Sequence, residues 1–153
     1  MATRAFRLVC VLILLLSSAC GIRRSNPLDP FANHSDDFYV PDQVTNVTVT
    51  TTGAGAQYKT VTFKWTPNSN TTTDGYYLYR GLAYNSIFAI VDTVMTNVPA
   101  PEDGKITCIH GAKPWHVVLP GDYYYKVSAW KQYGDRRLEG RFTSQNIFVR
   151  VPN

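Results

Sequence analysis

The residues that could take part in covalent or metal chemistry are few. The three cysteines are Cys10, Cys20 and Cys108, and none of them forms a CxxC pair. A thiol can act as a nucleophile, carry a lipid or bind a metal, but only in a suitable neighbourhood. Because Cys10 and Cys20 belong to the N-terminal apolar stretch, Cys108 has no partner for a disulfide in the rest of the chain. We therefore expect Cys108 to be a small buried side chain.

The histidines and carboxylates show no catalytic pattern. His34, His110 and His116 lack metal-ligand spacing with Cys108, and we interpret them as surface or strand-end histidines. There is no nucleophile elbow, no phosphate-binding glycine loop and no spaced pair of carboxylates. The sequence thus predicts a protein that is not an enzyme, needs no cofactor and binds no metal.

Composition narrows the classes of protein to which this chain could belong. The chain has 153 residues, of which 13% are aromatic and only 17% are charged, and this favours a single β-rich domain over a disordered chain. The formal net charge is +4, and the basic residues do not cluster in one run or on one helix. So mild a charge gives no reason to expect nucleic-acid binding.

The N-terminus has the layout of an exported protein. Arg4 and Arg7 precede an apolar run over 8–16, and small residues follow. The run is about half of the roughly 20 residues that a membrane-spanning helix needs, which disfavours an uncleaved anchor helix. Residues 1–19 are therefore predicted to be a signal peptide.

The order Ser17-Ser18-Ala19-Cys20 resembles the lipobox of bacterial lipoproteins, although that family prefers leucine where Ser17 stands. The resemblance implies that Cys20 carries diacylglycerol and a further acyl chain such as palmitate, which together anchor the protein stably in a membrane. Gly21 after the cysteine favours the outer membrane over the inner one. Ordinary secretion is the alternative. Residues 20–40 show no period and are rich in turn formers, so we expect a flexible tether.

Residues 41–153 predict an all-β domain. Alternation is clearest in 60–65 and 123–130, and turn residues separate the apolar runs. The segment after Trp130, over 131–140, is predicted to be a loop and a second candidate for binding. The predicted strands are 43–51, 60–65, 76–80, 87–94, 106–110, 123–130 and 145–151. The predicted core consists of Val61, Phe63, Trp65, Tyr76, Leu78, Tyr123, Tyr125, Val127, Ala129 and the apolar residues of the last strand.

Three motifs resemble a fibronectin type III domain. They are Trp65-Thr-Pro, Gly75-Tyr-Tyr-Leu-Tyr-Arg, and Pro120-Gly-Asp-Tyr123 followed by Val127 and Ala129. The resemblance implies a seven-stranded antiparallel immunoglobulin-like sandwich, with Trp65 in the core and Tyr123 in a tyrosine corner. It also implies that the third and sixth strands share a sheet.

Alternation then directs a second set of side chains away from the core. These are Tyr77, Tyr79, Tyr124, Lys126 and Trp130. We expect them to form one exposed aromatic patch with a basic fringe that binds another protein, as part of an envelope complex. The same tyrosines would also serve to stack across strands for stability. The alternatives to a protein partner are a glycan or peptidoglycan, or a role as the accessory domain of an enzyme assembly.

Overall fold

The computed structural model describes residues 39–153 except Asn70, Pro114 and Trp115. The predicted signal peptide over 1–19, Cys20 and nearly all of the predicted tether therefore lie outside the described residues. Within the described part, no helix has the length and apolar character needed to cross a membrane. This part of the chain is all-β, as the sequence predicts.

Eight strands are present among the described residues. They are β1 (Thr48–Thr51), β2 (Val61–Trp65), β3 (Gly75–Gly81), β4 (Ala89–Val94), β5 (Ile106–His110), β6 (Gly121–Tyr133), β7 (Arg136–Glu139) and β8 (Ile147–Val151). Period-two burial is clearest in β2, whose Val61, Phe63 and Trp65 are fully buried while the two residues between them are not.

The strands form two antiparallel sheets that pack as a β-sandwich. One sheet has the order β1-β2-β5, and the other has the order β4-β3-β6-β7, with β8 also paired to β6. The 13-residue strand β6 organises the larger sheet. Its first half pairs with β8 and its last four residues pair with β7, while β3 pairs along its other edge. The third and sixth strands thus share a sheet.

The core fills the space between the sheets. Phe63 of the smaller sheet meets Tyr125 of the larger one at a ring-centroid distance of 4.8 Å, and Trp65 meets Tyr76 edge-on at 5.0 Å. Every predicted core residue named above is less than a tenth exposed, and Val149 and Val151 of β8 join them. The predicted core is confirmed except in the last strand, where the apolar Phe148 is 48% exposed. Burying each of these large side chains stabilises the fold by roughly 1.5–3 kcal/mol.

Tyr123 makes the hydrogen bond expected of a tyrosine corner. Its hydroxyl donates to the carbonyl oxygen of Leu119 over 3.0 Å. At the other end of β6, the hydroxyl of Tyr133 accepts from the Tyr39 amide and donates to the Tyr39 carbonyl. These contacts fix the place where the described chain joins the domain.

The prediction of a loop over residues 131–140 is wrong. These residues complete β6 and form β7, joined by a two-residue turn in which Gly134 has a φ of 59°. A hairpin turn of this length needs a residue that tolerates positive φ, and glycine supplies it. The segment is polar because both strands of this hairpin lie at the surface, and polarity hid the strand signal.

Candidate interaction surface

The outer face of the five-stranded sheet carries the side chains that β3 and β6 direct away from the core. Across these two strands Tyr77 pairs with Ser128, Tyr79 with Lys126, and Trp130 with Gly75. None of these side chains belongs to the core cluster between the sheets. The predicted outward set therefore does lie on one face, and we call this face the outer aromatic surface.

One half of the outer aromatic surface is covered by β7 and the segment after it. We call it the closed half and define it by Trp130, Tyr79, Ser128 and Glu139. The Tyr79 hydroxyl donates to Glu139 Oε1 over 2.6 Å, and Ser128 Oγ donates to the same oxygen over 2.5 Å. Burial and the neighbouring Glu139 carboxylate both raise the pKa of Tyr79 above its usual value, so its hydroxyl remains a donor.

The Trp130 ring packs closely against Gly75 of β3, which has no side chain. A Cβ on Gly75 would come within 2.5 Å of the Trp130 ring and within 2.3 Å of the Val94 carbonyl oxygen. The guanidinium of Arg137 lies over the indole, 4.4 Å from the ring centroid. Arg137 also donates from Nη1 to the Tyr77 hydroxyl over 2.9 Å. With Gly75 and Arg137 in contact with it, Trp130 is only 3% exposed.

The other half remains open to solvent. We call it the open half and define it by Tyr84, Phe88, Tyr124, Lys126, Phe142 and Phe148. Tyr124 is flanked by Phe148 at 5.4 Å and by Tyr84 at 5.9 Å between ring centroids. Tyr84 is 60% exposed and Phe148 is 48% exposed, which leaves an aromatic surface in contact with water.

Lys126 supplies the positive charge of the open half. Its ammonium lies 4.2 Å from the ring centroid of Phe88 and 5.3 Å from that of Phe142, so it is held by aromatic faces. Within the described part of the chain, no carboxylate lies within ion-pair distance of Lys126. A bound partner is therefore free to provide one.

The prediction of one exposed patch is wrong for two of its five members. Trp130 is only 3% exposed and Tyr79 only 9%, because β7 and Arg137 cover them. Tyr77, Tyr124 and Lys126 are half-buried. Their role in partner binding remains a prediction, and two of the three, Tyr124 and Lys126, belong to the open half.

Sequence reasoning missed most of the open half. Phe148 alternates with the buried Val149 and Val151 in β8, and the same period-two argument would have found it. Tyr84, Phe88 and Phe142 lie outside the regular strands, where alternation gives no direction. No local signal in the sequence marks them.

A polar group that the sequence also failed to indicate lies between the edges of the two sheets. Asp92 of β4, His110 at the end of β5 and His116 each offer a ligand atom within 4.8 Å of the others. His110 does end a strand as predicted, but it is buried rather than at the surface. Burial, aided by the nearby Arg80 charge, lowers the pKa of His110 to about 4. Residues 92, 110 and 116 come from distant parts of the chain, so their spacing could not reveal the group.

Cys108 is a free, buried thiol on the inner side of β5, as predicted. Burial raises its pKa to about 12, so the thiol stays protonated and unreactive. A scan against protein-family models finds no family that matches this chain, and no curated protein matches it either.

Proposed function

We propose that this chain is a lipid-anchored cell-envelope protein whose single fibronectin type III-like domain binds another protein without catalysis. The observation that carries the binding role is the open half of the outer aromatic surface. It combines exposed aromatic rings with a lysine that has no carboxylate partner within the described residues. Aromatic side chains with a cationic neighbour favour protein interfaces.

The fibronectin type III-like assignment rests on three positions. Trp65 is fully buried between the sheets, Tyr123 makes the corner hydrogen bond to Leu119, and β3 pairs with β6. In this interpretation β7 and β8 together take the place of one interrupted final strand, because both pair with the same edge of β6. This accounts for eight strands where the resemblance implies seven.

The anchoring role rests on the sequence of residues 1–20. A basic head, a short apolar run and Ser-Ser-Ala before Cys20 support export followed by lipidation, with the outer membrane as the destination. Metabolic labelling with an alkyne fatty acid tests it directly. The wild-type chain should be labelled and should fractionate with membranes, whereas Cys20→Ser should be unlabelled. Equal labelling of the two chains would contradict lipidation at Cys20.

Partner binding is tested by site-specific photo-crosslinking in intact cells. A benzophenone amino acid at Phe148 should yield a discrete crosslinked species, since that side chain packs on Tyr124 and is 48% exposed. The same probe at Tyr58 is the matched control, because Tyr58 is 74% exposed but belongs to the loop before β2. No crosslink from position 148, or the same products from both positions, would argue against the open half as the interface.

A matched substitution separates binding from folding. Tyr84→Ala combined with Phe148→Ala should abolish the crosslink made by a probe at Phe142. The double variant should change the free energy of unfolding by less than about 1 kcal/mol, because the two residues are 60% and 48% exposed. Substituting Tyr79 would be uninformative, since its buried hydroxyl is bonded to Glu139.

A glycan is the second candidate ligand. Tyr84 and Phe148 flank Tyr124 and expose part of their rings, and exposed aromatic faces are able to stack on sugar rings. Co-sedimentation with insoluble cell wall separates the two functions. Retention that the Tyr84→Ala, Phe148→Ala variant loses would favour the glycan, and protein crosslinks without retention would favour the protein partner.

A further inference from the structure

The open side of the sandwich, where the edge strands β4 and β5 approach each other, brings together three metal-ligating side chains. Asp92 belongs to the five-stranded sheet, His110 to the three-stranded sheet, and His116 to the connection that leaves β5. His116 Nδ1 lies 3.7 Å from Asp92 Oδ2. The three ligand atoms lie within 4.8 Å of one another.

A β-bulge accompanies the placement of Asp92. The register between β3 and β4 shifts so that Leu78 pairs with Asp92 and Tyr79 with Ile90, which leaves Val91 as the extra residue. Asp92 consequently lies opposite the inward-facing Leu78, and its side chain is only 5% exposed. Bulges recur beside functional sites because they redirect side chains, and a carboxylate on an inner face needs a cation.

His110 adds a buried imidazole to this group. The residue is 2% exposed, and its Nδ1 has no hydrogen-bond partner among the described residues. Its Nε2 lies 3.4 Å from Arg80 Nη1, which can only donate. Ligation through Nδ1 therefore requires the tautomer with the proton on Nε2, at the loss of this long contact. Neutral imidazole is the form that ligates metals.

We propose that Asp92, His110 and His116 form a binding site for a divalent transition-metal ion, with zinc as the best match. Two imidazoles and one carboxylate are a common zinc ligand set, and they leave a fourth position open. Bond lengths of about 2.0–2.2 Å put neighbouring zinc ligands about 3.3 Å apart, so the three side chains need to close by at most about 1.5 Å. The ion would join the two sheets along their open side.

Without a metal, Lys113 provides the positive charge that faces Asp92. Its ammonium lies 3.0 Å from Asp92 Oδ1, and its side chain is 47% exposed, so it can withdraw into solvent. Lys113 and His116 also line an open depression of about 280 Å³ beside β4, which gives an ion a route to Asp92. Lysine and metal therefore compete for one buried carboxylate.

The test uses the full chain purified in detergent, stripped with a chelator and titrated with Zn²⁺. We expect one Zn²⁺ to bind per chain, and we expect this binding to require Asp92, His110 and His116. Saturation with Zn²⁺ should raise Tm by about 5 °C, because an ion that binds only the folded state stabilises it. Asp92→Asn and His116→Ala should each weaken binding at least about tenfold. Lys113→Met should strengthen it severalfold, since the competing cation is gone.

The matched control is Asp103→Asn. Asp103 also pairs with a lysine, Lys64 at 2.7 Å, but it precedes β5 whereas His110 ends that strand. Its substitution should leave zinc affinity unchanged. Titration with Co²⁺ identifies the ligands through its absorption spectrum. The proposal is overturned by zinc affinity that Asp92→Asn and His116→Ala do not alter, by absence of binding, or by cobalt spectra that show thiolate coordination.

Discussion

The two faces of the five-stranded sheet carry aromatic residues from the same two strands, but they use them differently. On the inner face, Tyr76 and Tyr125 are fully buried among apolar side chains of the other sheet. On the outer face, Tyr77 and Tyr79 are covered only where the side chains of Arg137 and Glu139 in β7 reach them, and Tyr124 remains half-exposed. Alternation decides which face a side chain occupies, whereas the elements packed on that face decide whether it is buried.

The largest effect is expected on the inner face. Phe63→Ala removes a ring that contacts Tyr125 and should lower the free energy of unfolding by about 3–5 kcal/mol. Phe148→Ala on the outer face, where the ring is 48% exposed, should cost less than about 1 kcal/mol. Urea unfolding of both variants measures the difference, and similar costs would show that the two faces are equivalent.

Trp130 is an exception to the contrast between a buried inner face and a more exposed outer face. Although it points outward, it is enclosed by Gly75 and Arg137 and is 3% exposed. Trp130→Ala should therefore cost about 2–4 kcal/mol, close to a core substitution. Tyr84→Ala, at 60% exposure on the same face, is its control. If Trp130→Ala proved as mild as that control in urea unfolding, β7 would not be closing this half of the surface.

A smaller effect is expected from a single hydroxyl. Tyr79→Phe removes the donor to Glu139 and should cost about 1–2 kcal/mol, because hydrogen bonds to charged groups are stronger than average. Tyr77→Phe is the control, since the Tyr77 hydroxyl contacts Arg137 at an exposed position and should contribute under about 0.5 kcal/mol. A double-mutant cycle with Glu139→Gln would assign the energy. Additive effects in that cycle would contradict the proposed bond.

The smallest effect concerns pH at the margin of the outer face. Burial acts to raise the pKa of Asp74, but hydrogen bonds from Lys131 and from the Gln132 amide outweigh it, so its pKa lies below the usual value. The folded state thus holds fewer protons than the unfolded state, and the stabilisation is complete above about pH 4 and lost as the pH falls through the lower folded value. Asp74→Asn should flatten the acid limb of stability measured from pH 2 to 6. An unchanged limb would mean that Asp74 contributes nothing there.

These comparisons show what the sequence could reveal. Alternation in β2 and β6 predicted the core and the outward set, because the period of two is a local property of an extended chain. The cover over Trp130 was not predictable, because it depends on Arg137, which reaches the indole only after the chain reverses at Gly134. The group of Asp92, His110 and His116 was missed for a similar reason, since pairing between distant strands brings it together.

The contacts at the two ends of β6 have a mechanical consequence. The backbone of Tyr39 is hydrogen-bonded to the Tyr133 hydroxyl at one end of this strand, and Val151 pairs with Gly121 at the other end. With a rise of about 3.3 Å per residue, these two points lie about 40 Å apart. Traction applied at Tyr39 and at Val151 would therefore run lengthwise through the sandwich. The domain would then act as a stiff spacer whose length adds to the distance that the chain can span.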